Sequence, residues 1–195
     1  GRCLSDQLVG TIHDVTLAAR ADIDIVDLEG VKAKLLTLNP DVVINASAYT
    51  AVDKAEEEAD KANEVNNVAV GNLAQICASI NSVLIHISTD YVFDGLASVA
   101  YKENVEPNPQ SVYGKTKLLG ELAIQESGCN YLIIRTAWVF SEYGNNFLKT
   151  MLRLGKERDE LSIVGDQIGC PTYAQDIAKA IVTILTGIES HNVSW

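Results

Sequence analysis

The chain has 195 residues, with 15 Lys and Arg against 26 Asp and Glu, and a formal net charge of −11. This acidic balance, without any basic cluster, excludes a general nucleic-acid binder. Apolar residues make up 47% of the sequence, which suits a globular core, but no apolar run approaches the length of a membrane span and no signal peptide is visible. The sequence therefore predicts a cytoplasmic protein with no membrane or nucleic-acid partner.

The predicted elements in the first half alternate between helices and short strands. They comprise a helix, a weakly alternating strand, a helix stopped by Asn39-Pro40, a buried strand, a long helical region and a second buried strand, at residues 2–9, 14–19, 27–38, 41–46, 53–80 and 83–88. The second half continues the pattern after a long loop. It contains a helix opening near Ser111, a strand, a helix, a short strand and a last helix, the later four at residues 131–136, 147–157, 161–164 and 173–186.

This alternation predicts an α/β fold, a Rossmann-like doubly wound parallel sheet with helices on both faces. In such sheets ligands bind at the carboxyl ends of the strands. Three loops are expected at that edge, at residues 48–50, 89–91 and 138–140. The helix that opens near Ser111 begins close to the same edge, so these segments predict one pocket.

Two side chains at the start of that helix suggest proton transfer. Tyr113 and Lys117 are four residues apart and share a helix face. A nearby ammonium is expected to lower the pKa of the phenol, so that Tyr113 can exchange a proton with a substrate oxygen. The spacing alone is a weak signal, and an exposed Tyr with a solvated Lys has the same pattern. With Thr89 in the same pocket, the set suits carbonyl reduction, which requires a nicotinamide cofactor because no side chain donates hydride.

Six stretches, in order, resemble the extended short-chain dehydrogenases/reductases, and within them the dTDP-4-dehydrorhamnose reductases. They are Asn45-Ala-Ser-Ala-Tyr-Thr-Ala-Val-Asp-Lys-Ala-Glu56, Ser88-Thr-Asp-Tyr-Val-Phe-Asp-Gly95, Val112-Tyr-Gly-Lys-Thr-Lys-Leu118, Arg135-Thr-Ala-Trp-Val-Phe140, Gly144-Asn-Asn-Phe147 and Asp166-Gln-Ile-Gly-Cys-Pro-Thr172. The resemblance implies NAD(P)H-dependent reduction of the 4-keto group of dTDP-4-dehydro-L-rhamnose to dTDP-L-rhamnose.

The resemblance also implies a role for individual residues. The catalytic set would be Thr89, Tyr113 and Lys117. The implied cofactor contacts are Gly1, Arg20, Asp24, Ile25, Ala48, Tyr49, Thr50, Ile87, Tyr113 and Lys117. The implied substrate contacts are Thr89, Asp90 and Trp138.

Several of these residues have an ordinary structural interpretation as well. Ile87 and Trp138 could be core residues, and Asn66, where the family places an Asn that supports the active site, could be a satisfied helix polar group. His86 lies in the middle of an apolar strand and is predicted to be a core histidine. The four cysteines, Cys3, Cys77, Cys129 and Cys170, are far apart and form no C-x-x-C, so reduced thiols are expected rather than metal ligands or disulfides.

The sequence departs from the family at both ends. Gly1 fits the third glycine of the family's phosphate-binding loop, whereas the first strand, the other two glycines and most of a small C-terminal substrate lobe are missing. A truncated or incompletely recorded polypeptide is therefore expected. The predicted domains are an NAD(P)-binding domain at residues 1–140 and a mixed region at 141–195, in which a partial substrate lobe is followed by a helix that returns to the first domain.

Two further departures concern ligands. The acid that the family offers to the adenosine ribose is replaced by Ala19, and Arg20 follows. Loss of the acid removes repulsion of a 2′-phosphate and an Arg can pair with it, so NADPH is predicted over NADH, which stays possible. Some relatives hold a divalent metal through Glu at a dimer interface. Gln175 stands at one such position, so no metal site is predicted.

Two other functions fit parts of the sequence. A regulatory subunit of the methionine adenosyltransferase type keeps a similar Ser-Thr-Asp-Tyr-Val-Phe block, but Trp138 and the Gly144–Phe147 stretch favour the reductase. An epimerase or dehydratase of sugar nucleotides is the third possibility, although a dehydratase usually needs two acid/base carboxylates and Asp90-Tyr91 offers one. The sequence leaves a monomer and a homodimer open.

Overall fold

A computed structural model of the chain describes residues 1–189. In chain order the elements are α1 (Arg2–Leu8), α2 (Leu28–Leu38), β1 (Val42–Asn45), α3 (Val52–Ala55), α4 (Ala59–Asn63), a π-helical turn (Glu64–Val68), α5 (Ala69–Ser79), β2 (Val83–Thr89), a 3₁₀ turn (Asp90–Val92), α6 (Val112–Glu126), β3 (Tyr131–Thr136), β4 (Val139–Phe140), α7 (Phe147–Glu157), β5 (Thr172–Tyr173) and α8 (Ala174–Glu189).

The chain forms two compact units. The central unit is Ala18–Arg135, and the terminal unit combines Gly1–Leu17 with the described residues from Thr136 onward. Residues 190–195, which include His191, lie outside the described part of the chain. The functional boundary near residue 140 stays a prediction, because packing alone does not assign a cofactor or a substrate to either side.

The central unit is built on a parallel sheet in the order β1-β2-β3. Strand β2 is central, and it pairs in parallel with β1 in a register that runs from Val42 opposite Val83 to Asn45 opposite His86. Strand β2 has an almost continuous buried pattern, whereas β3 is only half-buried along its length. The predicted parallel sheet with flanking helices is confirmed, and its central position buries every side chain of β2 except the half-buried Ile87.

The core of the central unit joins three helices to the sheet. Leu35 of α2, Leu73 of α5, Leu84 of β2 and Ile124 of α6 belong to one buried apolar cluster. Caps fix where the helices start: the Asp27 carboxylate accepts the N–H of Gly30 before α2, and the Ser111 hydroxyl accepts that of Gly114 in α6. The cap at Ser111 is the helix start predicted from sequence, and it positions the first turn of α6.

The terminal unit pairs two short strands that the sequence did not predict. Strands β4 and β5 are parallel, with Val139 opposite Thr172 and Phe140 opposite Tyr173. The rings of Phe140 and Tyr173 stack with centroids 5.4 Å apart. Helices α1 and α8 pack on each other in the same unit. Helix α7 spans Phe147–Glu157, as predicted, and its start is capped by the Asn146 side chain.

Two predicted strands are wrong. Residues 14–19 are exposed and outside any strand, and no described strand pairs with them to take up their backbone hydrogen bonds. Residues 161–164 likewise form no strand and are largely exposed. The helical region predicted at residues 53–80 is present as α3, α4, the π-helical turn and α5, interrupted only at residues 56–58 between α3 and α4. A regular α-helix would lack the widened π-helical turn in which the Asn66 side chain is buried.

Across residues 1–189, none of the helices has both the length and the apolar character that crossing a bilayer requires.

Candidate functional site

The carboxyl ends of β1 and β2 bring the predicted site loops to one edge of the central sheet. Asn45 pairs with His86 across these strands, so residues 48–50 and Thr89 leave the sheet at the same edge. The first turn of α6 contacts the 3₁₀ turn that follows Thr89. An added Cβ at Gly114 would lie 2.2 Å from the carbonyl oxygen of Tyr91, so this close approach requires glycine.

Thr89 and Tyr113 form a buried hydroxyl pair at that edge. They are 5% and 9% exposed, respectively. The Thr89 hydroxyl accepts the N–H of Tyr91 at 3.2 Å and donates to the Asp90 carboxylate at 3.1 Å. Burial raises the pKa of Tyr113, and the neighbouring Asp90 and Tyr91 add to this, whereas a hydrogen bond with Thr89 lowers it. The phenol is therefore a protonated donor, held next to a second hydroxyl.

Lys117 lies one turn further along α6 but does not act on Tyr113 as predicted. It is 1% exposed, and its Nζ lies 3.0 Å from His86 Nε2 and donates to the carbonyl of Ile87 at 2.8 Å. Burial lowers the pKa of Lys117 to about 8, opposed by the negative charge of Glu121. The expectation that Lys117 depresses the pKa of Tyr113 is wrong in this structure, since burial dominates and the pKa is raised.

Asn66 anchors the loop after β1. It is fully buried in the π-helical turn, where its Oδ1 accepts the Tyr49 N–H at 2.9 Å. Its Nδ2 donates to the Tyr49 carbonyl at 3.1 Å and to Thr116 Oγ1 on α6 at 3.2 Å. One amide thus ties the loop to α6, the helix that carries Tyr113 and Lys117. This is more than the satisfied helix polar group that was the alternative.

The other predicted cofactor residues divide between the two units. Arg20 is 82% exposed and lies 3.6 Å from the Asp24 carboxylate, with which it forms an ion pair. Ile25 packs half-buried against the main core cluster. Gly1 lies in the terminal unit, where an added Cβ would meet nothing within 4 Å. The structure therefore groups Arg20 with Asp24, and Ile87 with Lys117.

Trp138 has an unusual backbone conformation in the terminal unit. Its φ is 46°, a left-handed value that is costly for a side chain of this size. The residue is 43% exposed, so the alternative of a plain core residue is wrong. Its indole covers Gly169, where an added Cβ would lie 2.5 Å from Cε2. Nearby in sequence, the buried Thr136 hydroxyl has no hydrogen-bond partner among the described residues.

Two buried polar clusters were not predicted as part of the site. Asn45 Nδ2 lies 3.1 Å from His86 Nδ1, and His86 in turn contacts Lys117. One turn further along α6 than Lys117, the side chain of Glu121 is fully buried, accepts a hydrogen bond from Ser88 and forms an ion pair with Arg135 at 2.6 Å. The sequence did contain a signal for the first cluster, because a His in an apolar strand and an Asn ending the neighbouring strand occupy paired positions.

The thiol and metal predictions concern residues outside this edge. All four cysteines are free, three of them buried and Cys170 exposed. Burial raises the pKa of Cys77 to about 12. Gln175 donates to the Glu142 carboxylate at 3.3 Å. Within residues 1–189 no three His, Cys, Asp or Glu side chains group as metal ligands, and the predicted lack of a metal site stays a prediction.

Comparison with known proteins supports the fold and defines the family. The family model described as the RmlD substrate binding domain matches residues 1–195. A dTDP-4-dehydrorhamnose reductase of Sinorhizobium fredii is 45% identical over 171 residues, which is 88% of this chain and 58% of that protein. A crystal structure of a dTDP-4-dehydrorhamnose reductase from Clostridium acetobutylicum has a TM-score of 0.92 and 43% identity, covering all of this chain and 68% of that one.

A second solved relative includes a cofactor. The Bacillus anthracis dTDP-4-dehydrorhamnose reductase, in complex with NADP, is 39% identical with a TM-score of 0.92, covering 95% of this chain and 66% of that one. The parallel sheet, its flanking helices and these likenesses define a Rossmann-like protein of the extended short-chain dehydrogenase/reductase class. The chain belongs to the RmlD substrate binding domain family. It spans little more than half the length of its curated relatives.

Proposed function

We propose that this chain carries the reducing site of a dTDP-4-dehydrorhamnose reductase, which converts dTDP-4-dehydro-L-rhamnose into dTDP-L-rhamnose with NADPH. The observation that carries the proposal is the burial of Thr89, Tyr113 and Lys117 together at the carboxyl edge of the central sheet. The relatives named dTDP-4-dehydrorhamnose reductase support the substrate.

Each member of the set has a distinct role in this reaction. The Thr89 and Tyr113 hydroxyls hydrogen-bond the substrate carbonyl oxygen. Tyr113 then donates its proton to that oxygen as negative charge develops there, which its raised pKa permits because the phenol is protonated at neutral pH. Lys117, held by the Ile87 carbonyl, lies on the same helix face and stabilises the resulting phenolate when it is charged.

The donor set at the sheet edge fits a nicotinamide dinucleotide. Lys117 and Tyr113 supply the amine and hydroxyl that a ribose requires, and the Asn66-anchored loop at residues 48–50 borders them with Ile87. Arg20 is exposed, and a 2′-phosphate could replace Asp24 as the partner of its guanidinium. Asp24 and Ile25 are assigned to the adenine, and Gly1 to the pyrophosphate. When bound, the reduced nicotinamide supplies the hydride.

The proposed substrate contacts belong to the two units separately. Burial raises the pKa of Asp90, and the Thr89 hydroxyl holds its carboxylate in place. We assign Asp90 and Trp138 to the sugar nucleotide. The exposed face of the Trp138 indole suits stacking on a planar or apolar group.

We also place the protein in the cytoplasm, as a monomer or homodimer without nucleic-acid partners.

Turnover by the full protein tests this proposal. NADPH oxidation with dTDP-4-dehydro-L-rhamnose is measured for the wild type and for Tyr113→Phe. The control is Tyr131→Phe, which also removes a phenolic hydroxyl, but from β3. We expect Tyr113→Phe to lose about 10²- to 10⁴-fold in kcat because the proton donor is gone. Tyr131→Phe retains activity. A folded protein that binds NADPH without turnover would favour the regulatory function or another sugar nucleotide.

A second measurement tests the cofactor preference. Arg20→Ser is expected to lower kcat/KM for NADPH by about tenfold, because it removes one charge-assisted contact with the 2′-phosphate. The value for NADH should be unchanged. The comparison is made in the full protein with both cofactors at saturating sugar nucleotide. A wild type that prefers NADH by tenfold or more would contradict the assignment of Arg20.

A further inference from the structure

A row of polar groups runs from the end of β1 to the candidate catalytic lysine. The Ser47 backbone N–H donates to Asn45 Oδ1 at 3.0 Å. Asn45 Nδ2 lies 3.1 Å from His86 Nδ1, and His86 Nε2 lies 3.0 Å from Lys117 Nζ. Asn45, His86 and Lys117 are 4%, 0% and 1% exposed, so water cannot easily replace any of these contacts. The donors and acceptors in the row must therefore match one another.

The first contact fixes the orientation of the Asn45 amide. A backbone N–H can only donate, so the amide atom that faces Ser47 is the oxygen. The Ser47 hydroxyl contacts the same oxygen at 2.6 Å. The atom that faces His86 is consequently the NH₂ group, which can only donate. His86 Nδ1 must then be the unprotonated, accepting nitrogen of the ring.

The proton inventory continues along the row. A neutral imidazole with a bare Nδ1 carries its proton on Nε2, and that N–H points at Lys117 Nζ. An ammonium has no lone pair to accept it. A neutral amine has one lone pair and two N–H groups, one of which donates to the Ile87 carbonyl at 2.8 Å. Only the neutral amine satisfies all of these contacts at once.

We propose that Asn45 favours the Nε2–H tautomer of His86 and that this tautomer opposes protonation of Lys117, so that Asn45 and His86 are positioning residues that lower the proton affinity of the candidate catalytic lysine. The alternatives each bring two donors together. The Nδ1–H tautomer sets an N–H against the Asn45 NH₂, and an imidazolium adds a clash with Lys117. Burial acts in the same direction, lowering the pKa of His86 to about 3 and that of Lys117 to about 8.

Other charges around Lys117 are already engaged. Glu121, one turn further along α6, favours the charged lysine, but its carboxylate binds Arg135 and Ser88. Tyr113, one turn before, is a protonated phenol influenced by Asp90 and Tyr91 from the 3₁₀ turn. To charge Lys117, the structure must move the His86 proton and break the contact with Asn45. This linkage opposes protonation beyond the effect of burial.

The consequence for catalysis rests on the proposed function. A neutral Lys117 does not stabilise the Tyr113 phenolate, so the lysine must take up a proton before the site is competent. The tautomer of His86 and the proton affinity of Lys117 do not depend on which reaction the protein catalyses, and both can be measured without substrate.

The test is an isosteric change that reverses one donor. Asn45→Asp replaces the NH₂ facing His86 with a carboxylate oxygen, which accepts a proton from Nδ1. Long-range ¹H–¹⁵N spectra of the full protein report which ring nitrogen of His86 is protonated, with the signal assigned by its loss in His86→Asn. At about pH 9, where the Lys117 amine is mostly neutral, we expect a proton on Nε2 in the wild type and on Nδ1 in Asn45→Asp.

Ser47→Ala is the matched control. It removes the hydroxyl contact but keeps the backbone N–H that orients the amide, so the wild-type tautomer is expected. A wild type with Nδ1–H, or Asn45→Asp with Nδ1 still bare, would overturn the proposal. In ¹⁵N-lysine titrations, the pKa of Lys117 should rise by at least about one unit in Asn45→Asp, a tenfold gain in proton affinity, and stay unchanged in Ser47→Ala.

Activity supplies a separate readout. With NADPH and dTDP-4-dehydro-L-rhamnose, the alkaline limb of kcat/KM should move to higher pH by about one unit in Asn45→Asp, following Lys117. A merely structural role would lower the rate at every pH without moving the limb. If neither protein turns over while the tautomers behave as expected, the proposed reaction fails and the His86 assignment stands.

Discussion

His86 links proton binding to the stability of the fold. Its pKa falls from 6.5 to about 3, mainly through burial and secondarily through Lys117. The unfolded chain therefore binds more protons than the folded one between these values, so stability is complete above pH 6.5 and declines as the pH falls. Protonation of His86 in the unfolded chain should lower the free energy of unfolding by about 2 kcal/mol between pH 6.5 and pH 5.

The pH slope can be isolated by substitution. Urea unfolding of the wild type and His86→Gln is compared at several pH values between these limits. Carboxylates contribute equally to both proteins, so the difference in slope belongs to His86. Parallel curves for the two proteins would show that His86 titrates normally in the folded state.

Glu121 carries a buried charge that depends on one partner. Its side chain is 1% exposed, while Arg135 at 2.6 Å is 21% exposed and also lies 5.0 Å from the Phe93 ring centroid. Arg135→Met leaves the carboxylate buried and uncompensated, which should lower the free energy of unfolding by about 3 kcal/mol. Chemical denaturation at neutral pH measures the loss.

A surface ion pair provides the control for that experiment. Arg153 and Glu157 are 61% and 51% exposed at 2.9 Å. Arg153→Met should change stability by less than about 0.5 kcal/mol, because water screens the pair. Adding Glu121→Leu to Arg135→Met should restore stability, since the unpaired buried charge is removed. An equal loss from both arginines would contradict the role assigned to burial.

Spacing located the reactive side chains but not their electrostatics. The four-residue interval placed Tyr113 and Lys117 on one helix face, and the strand end placed Thr89 beside them. The predicted direction of the Tyr113 pKa shift was wrong. The direction depends on how deeply the phenol is buried and on which groups the Lys117 side chain contacts. A local pattern contains neither quantity.

The π-helical turn fixes the spacing between α6 and its neighbours. At Gly120 an added Cβ would lie 2.1 Å from the Asn66 carbonyl oxygen. Gly120→Ala should therefore destabilise the protein by about 2 kcal/mol, although alanine favours helix, because the backbones must separate. Thermal and urea unfolding measure the effect, and Asn66 would lose its hold on Tyr49, which NMR of the loop amides reports.

Gly155 is the matched position on another helix. Nothing lies within 4 Å of a Cβ added there in α7. Gly155→Ala should stabilise the protein by about 0.5 to 1 kcal/mol through helix propensity alone. If both substitutions stabilise, the close approach at Gly120 does not hold in solution.

Elements with a strong internal pattern were predicted well, and those that depend on a neighbour were not. Strand β3 and helix α7 have the predicted bounds, because an apolar run and a capped amphipathic stretch define them. The predicted strand at residues 14–19 lacks a partner in the described chain. The π-helical turn that joins α4 to α5 places Asn66 against partners that are distant in sequence, so no window around residues 53–80 could predict it.

Across the whole molecule, protection should follow burial. Residues 159–170 are almost entirely exposed and lie outside helices and strands, whereas β2 is buried from end to end apart from one half-buried side chain. Backbone amides of residues 159–170 should exchange with solvent at near-unprotected rates, and those of β2 only on global unfolding. Hydrogen exchange with mass spectrometry measures both, and slow exchange in residues 159–170 would reveal structure there.

The general architecture was predictable because alternating strands and helices permit few arrangements. The parallel order and the sheet edge that holds Thr89 followed from it. The grouping of residues 1–17 with the chain after residue 135 was not predictable, because contacts such as Tyr143 with Asp6, at 2.7 Å, join residues far apart in sequence. Fold class is a property of the pattern, and this grouping is a property of long-range packing.

The uneven exposure of the four thiols allows a single cysteine of the chain to be labelled selectively. Of the four cysteines, Cys170 alone is exposed. Burial also raises the pKa of the Cys77 thiol, which keeps this thiol protonated and unreactive. A maleimide dye should therefore attach once per folded molecule without any mutation. Because Gly169 packs under the indole of Trp138, a dye at Cys170 would lie beside that ring. If the proposed assignment of Trp138 to the sugar nucleotide is correct, binding should change the fluorescence of the dye.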